Sequence, residues 1–365
     1  MYFNVVKSKE IINSPYNVRL DSMADRVVRG QILDNAGNIL AKTEVDEDGT
    51  EQRVYPYGSM FAHVVGYDTK GKSGLESSAN FDLLTSNANF MERFIHELRE
   101  EKNIGDNVIT TLDMTLQETA YDALGKYKGA VVITEVTTGK ILALVSKPDF
   151  NPNTIGDDWG EIANSTDSML LNRATQGAYA PGSVFKLVTT LEYMRENKDY
   201  NKFNHICEGE IEYEGTVIHC AKNRKHGEED LATSLANSCN TAFSNIGLSL
   251  QVSDLQKTAK GLLFNSKLPG QFPYSQSRFQ LENEDASYEV MMTAIGQGKT
   301  LVSPYHMVLI AAAIGNGGLL MEPYLVDQVV SYTGTSVEKN MPKKYTQLMS
   351  SAEAAVLKDY MLNVV

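Results

Sequence analysis

The sequence is short of positive charge. Its 33 lysines and arginines are outnumbered by 46 aspartates and glutamates, which gives a net charge of -13 over 365 residues. Nucleic-acid binding needs a lysine and arginine footprint against the phosphates, so this balance argues against a nucleic-acid partner. The densest basic run, "KNRKH" at residues 222–226, is followed at once by acidic residues, and we interpret it as a solvated loop.

A long hydrophobic run is also missing. A membrane-spanning helix needs about 20 predominantly apolar residues, and the nearest candidate, residues 300–321, contains Pro304, His306 and three glycines. This segment instead predicts a buried helix followed by a Gly-rich turn. No signal peptide is evident after Met1, which leaves a cytosolic protein or an exported domain without its targeting segment.

Cysteine is scarce, with three in the chain. Cys207 and Cys220 enclose the segment "CEGEIEYEGTVIHC", and Cys239 stands alone. Because His205 and His219 are close to the first two, a four-ligand metal site is one alternative. The spacing fits no standard zinc motif, so a local disulfide or two buried thiols are favoured over a metal. A disulfide would require an oxidising compartment.

The chain is long enough for two domains, each with its own core. Residues 1–105 contain short extended runs ("RVVRGQILD", "EQRVYPYG", "FAHVVGY") and then a polar helical stretch around "NFMERFIHELREEKN". This pattern predicts a small β-rich module with one or two helices. The polar "REEKNIGDN" marks the boundary, and residues 106–365 are the second predicted domain.

The second predicted domain opens with a helix and a hairpin. In "LDMTLQETAYDALGKY", apolar residues recur at helical spacing, Asp113 and Thr115 can cap the start and Gly125 suits the end. In "GAVVITEVTTGKILALVS", two apolar runs flank the turn "TTGK". We therefore predict an antiparallel hairpin placed centrally in a sheet.

A serine and a lysine three residues apart follow a Pro-Gly pair in "YAPGSVFKLVTTLEYMREN". The apolar spacing from Val184 to Leu191 predicts a helix with Ser183 in its first turn. Residues i and i+3 share a helix face, so the amine of Lys186 can approach the hydroxyl of Ser183. Burial and the positive end of the helix dipole favour the neutral amine, which can accept the serine proton and generate a nucleophile.

A second short motif, Ser238-Cys239-Asn240, lies between two segments of helical apolar spacing. In a tight loop between helices, its hydroxyl and its amide can point into one cleft, to relay a proton and to bind a peptide carbonyl. Each motif alone is weak, because the chain also contains the chance matches "SVEK" at 336–339 and "SAN" at 78–80.

The order and flanking sequences of these motifs resemble those of class B penicillin-binding proteins. "RGQILDNAGNILA", "YPYGSMFAHVVGY" and "GLESSANFDLL" are similar to that family's pedestal domain. "ITTLDMTLQ", "GAVVITEVTTGKILALVSKPDFNPN", "YAPGSVFK", "SCNTAF" and "AIGQGKTLVSPYHM" resemble its transpeptidase domain. The resemblance covers essentially the whole chain, and S-x-x-K with a second serine motif is a signature of such enzymes.

The resemblance implies an α+β fold: a β-rich pedestal, then a transpeptidase domain with an antiparallel sheet flanked by helices and a helical subdomain. It implies a peptidoglycan D,D-transpeptidase that needs no cofactor or metal. In the family's scheme Ser183 attacks the penultimate D-Ala carbonyl of a stem peptide and Lys186 activates it. Ser238 passes protons, and Asn240 holds the acyl-enzyme. β-Lactam antibiotics acylate the same serine.

The resemblance also implies a location and partners. Class B members have one membrane-spanning helix before a segment similar to "YFNVVKSKEI", so the catalytic domain is expected on the extracytoplasmic face. That location permits a Cys207–Cys220 disulfide. A membrane glycosyltransferase of the cell-wall machinery is the expected protein partner.

The family's third motif, K-T-G on an edge strand, is missing. "GKT" at 298–300 continues with Leu301, and "SYTGTS" at 331–336 has Tyr332 where the lysine belongs. We expect the natural polypeptide to continue past Val365 with the K-T-G segment and the remaining C-terminal strands, and to begin before Met1.

Two other functions remain. The first is a non-catalytic scaffold of the cell-wall machinery that keeps the fold. The second is related serine chemistry, as in a β-lactamase, a D,D-carboxypeptidase or a β-lactam sensor. The pedestal motifs argue against all three of these.

Overall fold

The structure, a computed structural model, describes residues 23–99 and 101–364. The segment "YFNVVKSKEI", for which a preceding membrane helix is predicted, lies outside the described residues. The strands are β1 Val27–Val28, β2 Ile32–Leu33, β3 Ile39–Val45, β4 Glu51–Val54, β5 Asn103–Ile104, β6 Asn107–Thr110, β7 Gly129–Thr134, β8 Ile141–Lys147, β9 His205–Cys207, β10 Glu210–Tyr213, β11 Thr216–His219, β12 Gly227–Glu229, β13 Leu319–Met321, β14 Val326–Val330, β15 Ser336–Lys339 and β16 Lys344–Gln347. The α-helices are α1 Ala62–Val65, α2 Gly74–Ser78, α3 Asn80–Leu83, α4 Phe90–Leu98, α5 Met114–Leu124, α6 Ile155–Ala163, α7 Lys186–Glu196, α8 Leu231–Ala236, α9 Asn240–Ser249, α10 Val252–Gly261, α11 Ser287–Ala294, α12 Pro304–Gly315 and α13 Ser351–Leu362.

The chain divides into two compact units, each built from several segments. The first unit comprises Met1–Gln176, Gly270–Pro273 and Glu322–Lys343. The second comprises Gly177–Pro269, Tyr274–Met321 and Lys344–Val365. The boundary between residues 105 and 106 stays a prediction about domains.

The first unit is organised around a six-stranded sheet in the order β15-β14-β6-β2-β3-β4. Strands β2 and β6 are parallel, and the other neighbours are antiparallel. Beneath it, the buried carboxylate of Glu76 accepts from Arg29 at 2.5 Å and from Arg53 at 2.7 Å. Two guanidinium groups thus compensate the buried charge of Glu76.

The segment "FAHVVGY" was predicted as extended, and that prediction is wrong. It contains the short helix α1, which ends at Gly66, a residue in the left-handed region with φ 87°. Ala62, Val64 and Val65 are all buried, so the apolar run reflects burial on several sides of a helical turn. A short apolar run does not distinguish a strand from a buried helix.

Helix α5 and the hairpin β7–β8 confirm two local predictions. Asp113 caps α5 by accepting from the backbone N–H of Leu116 at 3.0 Å, and Gly125 ends it with φ 53°. The hairpin is antiparallel, and the side chain of Gln117 bonds both backbone groups of Leu144 at 2.9 and 3.0 Å. The predicted central position in a sheet is wrong for the described residues, because there β7 and β8 form a ladder only with each other.

The second unit contains α7–α13. Its core includes a cluster in which Leu231, Phe243, Ile246 and Met291 are buried together. The predicted buried helix is α12, capped by Ser303 and followed by Gly317 and Gly318 with φ 64° and 85°. None of the described helices has the length and apolar character needed to cross a membrane.

Candidate active site

Ser183 lies in a 3-10 turn, Gly182–Phe185, that runs directly into α7. The turn places Ser183 at the protein surface and Phe185 in the core, where Phe185 is 0% exposed. Val184, predicted to belong to the apolar face, is 48% exposed, because the tighter 3-10 turn rotates it outward relative to an α-helix. Ser183 is therefore an accessible hydroxyl at the start of a helix, with its backbone fixed by the buried residue that follows.

Lys186 is the first residue of α7 and is 0% exposed. Its ammonium group donates to the backbone oxygen of Ser238 at 2.6 Å, to Ser238 Oγ at 3.0 Å and to Asn240 Oδ1 at 2.8 Å. Burial lowers the pKa of Lys186 to about 8, against the opposing effect of the nearby Cys239, Cys220 and Glu229. A lysine with such a pKa reaches its neutral form under mildly alkaline conditions.

Ser238 lies in the loop between α8 and α9, as the sequence predicts, whereas Asn240 is the first residue of α9. Asp230 forms a capping box with Thr233 at the start of α8, and Cys239 caps α9 through Ala242 N–H. These caps fix where α8 and α9 begin. The short connection between the two helices contains Ser238, whose backbone is in the left-handed region at φ 52°. Asn240 is held further by donating to the His219 backbone oxygen at 2.9 Å.

The structure brings Lys186, Ser238 and Asn240 into direct contact. Ser183 Oγ makes no hydrogen bond to any residue that the structure describes, although Lys186 lies one turn further along the same segment. The amine therefore faces the second motif, and the hydroxyl of Ser183 is open to an incoming substrate. The roles assigned to these four residues stay predictions.

Gly182 and Gly296 are a feature of this site that sequence reasoning missed. The backbone N–H of Gly182 donates to Gly296 O at 2.8 Å, and Gly296 has φ 75°. A Cβ on Gly296 would lie 1.9 Å from Gly182 O. Nearby, Tyr179 and Val302 exchange two backbone hydrogen bonds at 2.8 and 2.9 Å. These contacts fix the position of the segment before Ser183. In the sequence, Gly182 of "APGS" and Gly296 of "IGQG" are the residues that could have indicated this close approach.

We expect Gly296→Ala to destabilise the protein by more than about 1 kcal/mol, because alanine is strained at positive φ and its methyl group collides with backbone. A thermal unfolding midpoint measures this loss. The matched control is Gly261→Ala at the end of α10, where a Cβ meets nothing within 4 Å; it should be neutral or stabilising. Equal midpoints for both variants would contradict the role of the glycine contact.

Four side chains beside these motifs could hold a metal: Cys207, Cys220, His226 and Cys239, the last of which is the middle residue of the second motif. Their ligand atoms all lie within 4.8 Å of one another. The histidine is His226 rather than the predicted His205 or His219. His226 belongs to the run "KNRKH" that was interpreted as a solvated loop, and its side chain is only 5% exposed. Its side chain folds inward although its neighbours in the run are exposed.

Comparisons with known proteins identify two domain families in the chain. Residues 129–365, more than half of the chain, match the family described as penicillin binding protein transpeptidase domain. Residues 29–108 match the family described as penicillin binding protein A dimerisation domain.

Two relatives of the chain are named peptidoglycan D,D-transpeptidases. The chain is 29% identical over 356 residues to peptidoglycan D,D-transpeptidase PbpA of Mycolicibacterium smegmatis, covering 92% of this chain and 72% of the relative. It is 26% identical to peptidoglycan D,D-transpeptidase MrdA of Escherichia coli, covering 72% of this chain and 49% of the relative.

Among solved structures, the D,D-transpeptidase domain of a peptidoglycan glycosyltransferase from Eggerthella lenta is similar, with TM-score 0.82 and 30% identity over 93% of this chain and 82% of that one. The imipenem acyl-enzyme complex of penicillin-binding protein A from M. tuberculosis is also similar, with TM-score 0.82 and 28% identity over 92% and 81%. Together with the transpeptidase match, these findings establish that the chain belongs to the penicillin-binding protein transpeptidase family, as a class B member.

Proposed function

We propose that this protein is a peptidoglycan D,D-transpeptidase that cross-links stem peptides through an acyl-enzyme on Ser183. One observation carries the proposal: the buried amine of Lys186 contacts Ser238 and Asn240, and Lys186 lies three residues after the exposed Ser183 of the 3-10 turn. Relatives of this chain are named D,D-transpeptidases, and a similar structure is a β-lactam acyl-enzyme.

In the proposed reaction, Ser183 Oγ attacks the carbonyl carbon of the penultimate D-Ala. The peptide C–N bond breaks, and the terminal D-Ala leaves as an amine that takes up the proton lost by the serine. An amine of a second stem peptide then attacks the ester, and the hydroxyl of Ser183 is restored with the proton from that amine. Splitting the transfer into two steps through a covalent ester is nucleophilic catalysis.

Lys186 and Ser238 are the proposed route for the proton. The neutral amine accepts the proton of Ser183, and the contact between Lys186 Nζ and Ser238 Oγ at 3.0 Å connects it to a hydroxyl that can pass it to the leaving group. The desolvated position of Lys186 favours the neutral amine, which is the form that can act as a base. Asn240 supports the amine through its side-chain oxygen and presents an amide to the acyl-enzyme.

Location and partner are further parts of the proposal. Peptidoglycan lies outside the cytoplasmic membrane, so we place the catalytic domain on the extracytoplasmic face, held by a single-pass membrane anchor and working beside a membrane glycosyltransferase. The family resemblance supports both statements. Fractionation of native membranes and crosslinked co-purification test them; recovery of the native protein from the cytosolic fraction alone would contradict the anchor.

The test of the enzymatic proposal is mass spectrometry of the intact protein after exposure to benzylpenicillin. We expect a gain of one whole penicillin, because ring opening adds the drug without a leaving group, and the adduct should map to the peptide containing Ser183. The adduct of a transpeptidase should last for hours. An adduct on another peptide, or its hydrolysis within seconds as in a β-lactamase, would contradict the proposal.

A further inference from the structure

Three buried thiols and one buried imidazole meet beside the active-site loop. Cys207 Sγ lies 3.7 Å from Cys220 Sγ and 3.3 Å from His226 Nδ1, and Cys220 Sγ lies 3.8 Å from Cys239 Sγ. The cysteines are 0%, 3% and 0% exposed in chain order. The proposed transpeptidase chemistry uses none of these side chains.

The spacing of these atoms is that of ligands around one zinc ion. Zinc binds thiolate sulfur at about 2.3 Å and imidazole nitrogen at about 2.0–2.1 Å in a tetrahedron, so neighbouring ligand atoms lie roughly 3.5–3.8 Å apart. The three measured separations, 3.3, 3.7 and 3.8 Å, are close to these values. Three cysteines and one histidine are also a common ligand set of structural zinc sites.

An unpartnered buried carboxylate oxygen lies beside the cluster. The side chain of Glu229 is 1% exposed, and its Oε2 lies 3.9 Å from His226 Nδ1. Oε1 accepts from Asn237 at 2.9 Å, whereas Oε2 has no hydrogen-bond partner in the described part of the chain. Buried polar groups are normally satisfied, so this oxygen shows that the polar groups around the cluster are not all paired with one another.

A disulfide explains the cluster less well. A disulfide needs sulfur atoms about 2.0 Å apart, whereas the two measured sulfur separations are 3.7 and 3.8 Å. Pairing any two of the three cysteines would also leave the third thiol and the imidazole without a common partner. One zinc ion takes all three sulfur atoms and the imidazole nitrogen as its four ligands.

We propose that Cys207, Cys220, His226 and Cys239 bind one zinc ion in a tetrahedral site that fixes the Ser238–Asn240 loop. Binding replaces the thiol protons, which are released to solvent, and the neutral imidazole contributes its lone pair. Around the ligands, Thr241 Oγ1 lies 3.2 Å from Cys239 Sγ, and His205 Nε2 lies 2.9 Å from Thr241 Oγ1. His205, a candidate ligand by sequence, is therefore not a ligand of the proposed ion but contacts Thr241, which in turn contacts the ligand Cys239.

The site would join elements that are weak on their own. Cys207 ends β9, Cys220 follows β11, His226 precedes β12 and Cys239 caps α9. Among the described residues, β9 and β12 form one two-stranded sheet and β10 and β11 form another, with three or four residues per strand. Such small sheets are marginal alone. Because Cys239 stands between Ser238 and Asn240, the same ion fixes the backbone of both residues that Lys186 contacts.

The test is the metal content of the protein purified from zinc-supplemented cells. We expect about one zinc ion per chain by elemental analysis, consistent with one four-ligand site. Cobalt exchanged into the chelator-treated protein should give the intense visible absorption of a tetrahedral ion with thiolate charge transfer, and added zinc should abolish it. These readouts do not depend on penicillin, so they stand apart from the test of the transpeptidase proposal.

His226→Asn should lose the zinc, since the amide keeps the shape near Nδ1 but is a poor ligand. His219→Asn is the matched control, because His219 is an exposed histidine of the same region that lies outside the cluster. It should retain about one zinc ion per chain. Should the wild-type protein lack zinc and bind no cobalt, or should both variants keep equal amounts of metal, the site does not exist. A mass two hydrogens lower, with the cysteines paired, would overturn the proposal in the same way.

Discussion

Ser183→Ala is expected to abolish covalent labelling by benzylpenicillin. The serine oxygen is the atom that forms the ester, and alanine has no atom that can replace it. Ser183 is exposed in the 3-10 turn before α7, and its hydroxyl makes no hydrogen bond within the described residues, so removing the hydroxyl leaves no buried group unsatisfied. Intact-protein mass spectrometry over several hours should therefore show an unmodified chain with an unchanged thermal midpoint.

The chain contains its own control for this experiment. Ser336 begins a second serine-lysine pair three residues apart, but it lies in the exposed strand β15. Ser336→Ala should label as the wild-type protein does. If Ser183→Ala still gained a stoichiometric adduct, the nucleophile would be another residue and the proposed mechanism would fail.

Lys186→Met is expected to slow acylation by about 10²–10⁴-fold, the usual contribution of a general base. Methionine has a similar length and no charge, so it can fill the position of a side chain that is 0% exposed. The substitution removes the donor shared by Ser238 and Asn240 along with the base. The second-order rate of adduct formation measures the effect, with the thermal midpoint recorded separately.

A pH profile separates a chemical role from a structural one. Because the pKa of Lys186 is lowered to about 8 by burial, the amine loses its proton as the pH rises through that value. Acylation of the wild-type protein should accelerate over that interval, since only the neutral amine accepts a proton, and Lys186→Met should lack the acceleration. Lys339→Met, in the exposed β15, should keep the wild-type profile. An unchanged profile in Lys186→Met would exclude the lysine as the base.

Features governed by neighbours along the chain could be predicted from the sequence. The capping of α5 by Asp113, its end at Gly125 and the hairpin that follows depend on residues a few positions apart. The helix α12 with its Gly-rich turn belongs to the same class. In each case a capping side chain or a glycine fixes the backbone locally, so the sequence pattern predicts the element without knowledge of the tertiary structure.

Features that depend on distant residues could not be predicted. The contact between Lys186 and the Ser238 loop joins residues 52 positions apart, and only the resemblance suggested that these motifs share a site. The close approach of Gly182 and Gly296 also depends on tertiary packing. His226 was assigned to a solvated loop because its neighbours are charged, although its own side chain is buried against Cys207.

The contrast between the exposed hydroxyl of Ser183 and the enclosed amine of Lys186 decides which reagents can inactivate the enzyme. Amine-directed chemicals modify lysines that they can reach from outside, and Lys186, with no exposed surface, is out of their reach. By the proposed mechanism, a covalent inhibitor therefore has to react as an electrophile with the hydroxyl of Ser183. The proposed base, Lys186, would take part in that attack from a position that a bulky reagent cannot reach.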